Sequence, residues 1–154
     1  MTAIALEQAA GFDEGCVGRI TTSVTITNDY DAERAESGLI AAEAVRAVEL
    51  PQVLVDTGAT TLCLPRIVIE RLGLRARRDV AVTTATGTAT ARLYFGAHVG
   101  VLGREGVFEC LELPDGTEPL LGYTVMETLG LEPDMRRHEL RVLPMDPGNS
   151  YLRI

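Results

Sequence analysis

No stretch of this sequence approaches the roughly 18 consecutive apolar residues that a membrane-crossing helix requires, so no membrane partner is expected. The N-terminus, Met1 to Gln8, has neither a basic residue nor a long apolar run, and no secretory signal is predicted. Cys16, Cys63 and Cys110 lie far apart, are odd in number and form no C-x-x-C pair, which predicts reduced thiols and a cytoplasmic setting. A zinc site drawn from these with His98 and His138 would have no recognisable ligand spacing, so the thiols read as buried and the histidines as ordinary surface residues. The chain is also poor in positive charge, with 14 basic residues against 22 acidic ones. Its basic residues gather only at Arg75, Arg77, Arg78 and at Arg136-Arg137, which is too little for a phosphate-tracking surface, so nucleic acid is excluded as a partner. Internal repeats and low-complexity segments are lacking too.

What is present suffices for one domain. A chain of 154 residues with 46% apolar content can bury a real core. Residues 1–16 mix Ala, acids and Gly without a period and read as an irregular lead-in, 17–143 as the domain, and 144–154 as a tail. From Ile20 to Ile26 apolar residues alternate with Thr and Ser, the period of a half-buried strand, ended by Asn28-Asp29-Tyr30-Asp31. A polar excursion to Glu43 follows, with a helical turn between Asp31 and Glu36 broken at Gly38. Val45 to Val55 resumes strand character, bent, bulged or at an edge at Pro51, which has no amide hydrogen to donate.

Pro65 then opens a short helix to Arg71 or Leu72, stopped by Gly73, with Val68 and Leu72 inward. Asp79 to Phe95 reads as a hairpin with its tip near Ala85-Thr86-Gly87-Thr88. Ala97 to Leu102 and Val107 to Leu113 read as two more strands joined through Gly103 to Gly106, followed by a Pro114-Asp115-Gly116-Thr117 turn. Thr124 and Glu127 have capping-box spacing, predicting a helix to Leu129 that stops at Gly130, and Glu139 to Leu143 a last strand. Many short strands, Gly-rich turns and one or two short helices predict a mostly-β, closed, barrel-like fold.

Asp56-Thr57-Gly58 is the stretch that carries chemistry. It lies between Val53-Leu54-Val55 and Leu62-Cys63-Leu64, which places a carboxylate at the end of an apolar strand. A charge in such a place needs a partner or a hydrogen bond. The bland alternative is an Asx turn at a strand end. Thr57 supplies a hydroxyl, and Gly58 permits a tight turn or the approach of another chain.

The segment Val53 to Thr60, followed by Leu64-Pro65, resembles the active-site segment of the retropepsin-like aspartic proteases. Leu120-Leu121-Gly122 before a short helix is similar to that family's second hallmark, and the hairpin 79–95 falls where its flap lies. The resemblance spans about residues 17 to 143 and is nearer to bacterial single-domain members than to viral ones. It implies an acid-protease fold and an aspartic endopeptidase with Asp56 as the catalytic carboxylate, needing no metal or cofactor. Thr57 would hold paired loops together, the Gly58 amide would bond a carboxylate oxygen, and Thr84, Ala85, Thr86, Gly87 and Thr88 would cover an extended peptide substrate.

Three departures stand out: Tyr123 after the second glycine, a flap tip with one glycine, and a long excursion from Asn28 to Glu43. Ala59 stands where pepsin-like relatives have a hydroxyl that stabilises the charged carboxylate, which predicts activity extending toward neutral pH. Only one Asp-Thr-Gly is present, whereas the family's mechanism needs two facing carboxylates, so the resemblance implies a homodimer in which Asp56 meets its copy across a two-fold axis. A protease-like dimeric module that binds peptide or protein and cleaves little is the alternative, and an unrelated small-ligand barrel a third.

Overall fold

The computed structural model describes residues 19–144. The expected lead-in at 1–16, Cys16, and all of the expected tail except Pro144 lie outside them. The first strand, β1 (Thr21–Asn28), buries Val24 and Ile26 and exposes Thr25 between them, as its alternating sequence requires. It pairs antiparallel with β2 (Ala47–Val55), and the register shifts between Thr22 and Val24, whose partners are Val53 and Leu50. The extra residue lies on β2 at Pro51-Gln52, so the proline sits in a bulge where no ladder bond is asked of it.

Six strands close a ring. β2 runs parallel to the short β7 (Leu120–Leu121), β7 is antiparallel to β3 (Leu62–Pro65), and β3 is parallel to β6 (Arg104–Leu113). β6 pairs with β5 (Gly87–Val101), and β5 returns to β1 through Thr25↔Gly100 to Asn28↔Ala97. The last strand of the sheet order, β4 (Arg75–Thr84), pairs with β5 alone and stands outside the ring as one arm of a hairpin.

Alternation along these strands divides the apolar residues between two cores. Val53, Leu62, Cys110 and Leu121 face the larger one, inside the ring, together with Ile69, Leu72, Val125 and Leu129 from two helices. Their neighbours Leu54, Cys63, Leu111 and Leu120 face the other side and form a smaller cluster with Ala59, Leu93 and Leu113, covered by Val80, Val82 and Ala91 of the hairpin. Each fully buried aliphatic side chain contributes about 1.5–3 kcal/mol of transfer free energy. The two-sided burial thus fixes register, since a one-residue slip would exchange the two cores.

The excursion after β1 is more ordered than a single helical turn. It forms α1 (Asp29–Glu36), capped by the Asn28 side chain, which accepts from the Asp31 amide, and a 3₁₀ turn at Ala42–Ala44. The second helix, α2 (Arg66–Leu72), starts after Pro65 and ends at Gly73 with φ 63°, and it buries Ile69 beside Leu72 while Val68 is half-buried. A polar knot ties these parts together. Asp31 accepts from the Arg46 backbone amide, Nε and Nη2, and Asn28 donates to Leu72 O at 2.8 Å, the end of α2. Arg46 holds the Asp31 carboxyl below its usual range.

Three further expectations need correction. Residues 89–95 and 97–101 belong to one strand, β5, with an extra residue between Tyr94 and Ala97 where Gly96 adopts φ 85°, and Leu102 lies in the turn that follows. The break suggested by Gly96 is therefore a bulge. The last helix, α3 (Tyr123–Leu129), begins one residue before Thr124 with Gly122 as its N-cap, so no capping box forms. His98 is no ordinary surface histidine: it is half-buried between Asp29 and Glu105, each at 3.3 Å. After α3, β8 (Leu131–Asp134) pairs with β9 (Glu139–Val142), a strand foreseen without its partner. Arg104 secures this end by donating to Leu129 O, Gly130 O and Leu143 O. Among the described residues no helix is long and apolar enough to cross a membrane.

Candidate active site

Asp56 sits where β2 leaves the ring. Its amide donates to Leu121 O at 3.0 Å, one step beyond the pair Val55↔Leu121, so the strand holds its geometry up to the carboxylate. Two residues past Leu54, its side chain lies on the side of the smaller apolar cluster, and its charge acts on the Cys63 thiol of that cluster. Asp56 is half-buried within the single chain, more open than a strand-end position among apolar residues suggests. Its Oδ1 accepts from the Gly58 amide at 2.9 Å, and Ala59 N donates to Asp56 O at 3.1 Å, which closes the turn. Thr57 and Gly58 are exposed at the tip, and Ala59 is buried.

The turn is clasped from behind by the Leu120-Leu121-Gly122 segment. Tyr123 N donates to Ala59 O and Thr124 N to Thr60 O, both at 2.8 Å, so the start of α3 is bonded to the loop after Asp56. The approach is possible only with glycine at 122: a Cβ there would lie 2.1 Å from Thr61 O and 2.7 Å from Thr61 C and N. Leu120, Leu121 and Gly122 are all buried, whereas Tyr123 is 53% exposed beside the loop. Tyr123 bonds Glu127 one turn along α3, which raises its hydroxyl pKa.

The hairpin of β4 and β5 stands over the smaller cluster. Ala85 and Thr86 form its turn between the paired Thr84 and Gly87, and the Thr84 hydroxyl bonds Gly87 O at 2.9 Å and receives the Thr86 amide at 3.3 Å. The tip is therefore tied by a side chain rather than left to glycines. A cavity of about 730 Å³ runs from Thr60, Thr61 and Cys63 along Val80 to Thr83, with Leu93, Phe108, Leu111 and Thr124 on its other walls. Four consecutive residues of β4 border it. Side chains of a strand alternate between faces, so such a run means that the strand's outer edge, opposite the one paired with β5, faces the space.

The structure thus brings Asp56, Thr57, Gly58 and Ala59 together with Leu120, Leu121 and Gly122. Of the tip residues, Ala85, Thr86, Gly87 and Thr88 are exposed and do not border the cavity, and Thr84 borders a second groove on the hairpin's other side. The hairpin arms, and Thr60, Thr61, Cys63, Leu93 and Leu111, were not singled out by sequence. The period-two pattern of Val80 and Val82 was the available signal, since it marks an apolar face on an otherwise polar ribbon. Cys63 lies on the floor, and burial followed by the Asp56 charge pushes its thiol up to about 12.

The profile of a family described as "gag-polyprotein putative aspartyl protease" matches residues 49–128, just over half of the chain. The chain belongs to this aspartyl protease family. The matched region starts within β2 and ends within α3, so it takes in the Asp56 turn, the hairpin and the Gly122 clasp of this family member. No curated protein matches the chain.

Proposed function

We propose that this chain is a single-domain aspartic endopeptidase, acting as a homodimer in which Asp56 of each subunit supplies half of a carboxylate dyad. The observation that carries the reading is the Asp56 turn, in which the Gly58 amide holds the half-buried aspartate at the end of β2 and Thr60 and Thr61, a few residues on, border the cavity although Asp56 itself does not. The exposed Thr57 and Gly58 leave the same turn free to meet its copy in an isologous contact. One Asp56, ionised, takes a proton from water as the water attacks the scissile carbonyl. The other, protonated, donates to the carbonyl oxygen and stabilises the developing oxyanion. The substrate is an extended peptide that adds to the outer edge of β4 along Val80 to Val82, using backbone hydrogen bonds, with alternate side chains turned into the cavity. A cytoplasmic site of action accords with the unpaired thiols Cys63 and Cys110.

A peptide-binding module of the same architecture is the second reading, favoured by the side-chain-tied hairpin tip and the exposed Tyr123. Incubation of a mixed peptide library with wild type and Asp56→Asn separates the two. Cleavage by wild type alone supports the peptidase. Binding without cleavage by both proteins supports the module, and equal cleavage by both sinks the Asp56 mechanism. Sedimentation at micromolar concentration should give a dimer, and a strict monomer that still cleaves peptide would refute the shared dyad.

A further inference from the structure

The hairpin over the cavity leaves the ring at a defined fork. β5 is paired with β6 up to Leu93↔Leu111, and from Arg92 outward only β4 accompanies it. Glu112, the next residue of β6, is therefore left opposite the departing strand. Its Oε1 accepts the Tyr94 hydroxyl at 2.8 Å, across the two strands just inside the fork. Arg66, the first residue of α2, approaches the same oxygen at 3.7 Å. On the hairpin itself Arg92 pairs with Asp79 across the strands at 3.3 Å, and its charge acts on the Tyr94 hydroxyl. A polar chain thus runs from β4 through β5 and β6 to α2, beside a groove of about 510 Å³ that Arg66, Asp79, Arg92 and Glu112 help to line.

The members of this chain are unequal. Asp79 and Arg92 are both more than half exposed, and such pairs contribute little. The Tyr94 side chain is buried and Glu112 is only 18% exposed, so their short hydroxyl-to-carboxyl hydrogen bond is the strong link. It acts at the lever's root. Outward of it, Val80, Val82 and Ala91 of the hairpin pack against the smaller cluster, contacts that carry no preferred direction.

We infer that Tyr94 and Glu112 are positioning residues, whose hydrogen bond sets how the hairpin 79–92 stands over the Asp56 loop. Loosening it frees the hairpin and leaves the ring intact. The effect on turnover rests on the peptidase reading, but the effect on the hairpin does not.

Hydrogen exchange followed by mass spectrometry on the full chain tests this for Tyr94→Phe, Glu112→Gln and the double variant, with Arg141→Ala, which breaks the exposed Arg141–Glu132 pair, as control. Amides of 80–91 should exchange about tenfold faster in Tyr94→Phe, the factor for losing a charge-assisted hydrogen bond, and faster by a smaller factor in Glu112→Gln, whose amide oxygen still accepts the Tyr94 hydroxyl, with no gain in the double over Tyr94→Phe. Exchange in β1 should stay at the wild-type rate, and Arg141→Ala should match wild type throughout. For peptide cleavage KM should rise with kcat nearly unchanged, because the substrate must then order the hairpin. Unchanged hairpin exchange in both single variants overturns the proposal, as does faster exchange spread equally over β1. A loosened hairpin in a protein that cleaves nothing would refute the peptidase and leave the positioning role standing.

Discussion

Replacing Gly122 by Ala tests the clasp behind Asp56 with one added carbon. The Cβ would stand 2.1 Å from Thr61 O, whereas ordinary contacts begin near 3.4 Å, so backbone must retreat from backbone by about 1.3 Å, the difference of the two. No flexible side chain lies between them to absorb the shift. Overpacking of this kind costs about 1–3 kcal/mol. The same retreat strains the bonds from Tyr123 N to Ala59 O and from Thr124 N to Thr60 O, worth about 1 kcal/mol each. A destabilisation of about 3–5 kcal/mol follows, or a fall of about 10 °C in Tm for a chain of this size. Urea denaturation followed by circular dichroism reads the first number and thermal melting the second. Gly100→Ala is the control, since its Cβ would meet Thr25 O at an ordinary 3.8 Å, and it should stay within about 0.5 kcal/mol of wild type. If Gly122→Ala is as stable as Gly100→Ala and cleaves peptide normally, the clasp does not hold the Asp56 turn as described.

Other perturbations have equally defined outcomes. At Gly73 a Cβ would lie 1.9 Å from Arg46 Nη1 and the backbone has φ 63°, so Gly73→Ala should cost about 2–3 kcal/mol, left-handed strain plus expulsion of Arg46. Gly38→Ala, with φ 75° in open space, should cost only the strain, and equal losses for the two in chemical denaturation would refute the Arg46 contact. Asp31→Asn should destabilise at neutral pH by about 2 kcal/mol, between the values for exposed and buried pairs. Because the folded state lowers the Asp31 pKa, its contribution is complete above the ordinary Asp value of about 3.9 and fades as pH falls through the lowered one. The gap between wild type and Asp31→Asn should therefore close only below about pH 4, and a gap constant down to pH 2 would contradict the pairing. Cys63 and Cys110, buried and pushed up to about 12, should react with a thiol reagent at pH 7.5 only as fast as the protein opens, so rapid labelling of either in the folded protein would show the floor to be exposed.

The parts of this architecture that were legible in the sequence are those written in local patterns. Alternation gave β1, Pro51 its bulge, the pair Pro65/Gly73 brackets α2, and Gly130 stops α3, both stops being left-handed glycines. What escaped was decided between distant segments. Gly96 looks like a strand break, yet pairing with β1 on one edge and β6 on the other carries β5 straight through it as a bulge. Thr124 has the right spacing for a capping box, but the contact of Gly122 with Thr61 sets the helix start one residue earlier. β8 contains Pro133 and has only β9 to pair with, so its sequence carries no strand period. At the candidate site, Asp56 and the Gly122 segment could be named from short motifs. The cavity walls could not, because Thr60, Cys63, Val80 and Leu111 meet only after the ring has closed.

The knot at Asn28 has a consequence for how this chain could be re-engineered. Asn28 N bonds Arg46 O at 2.9 Å and Thr27 pairs with Ala47, so the excursion from Asp29 to Val45 leaves and rejoins the barrel at neighbouring points of one antiparallel ladder. In topological terms it is a side branch: its removal shortens the connection between two strands without changing the path of either. A tight turn spliced in place of the whole excursion would leave Asn28 near Leu72 O at the end of α2 but would remove Asp31 and Asp29, the partners of Arg46 and His98. The part between α1 and Arg46 is therefore the replaceable cassette, open to exchange for a foreign loop or a reporter peptide while Asp31 stays in place as the partner of Arg46.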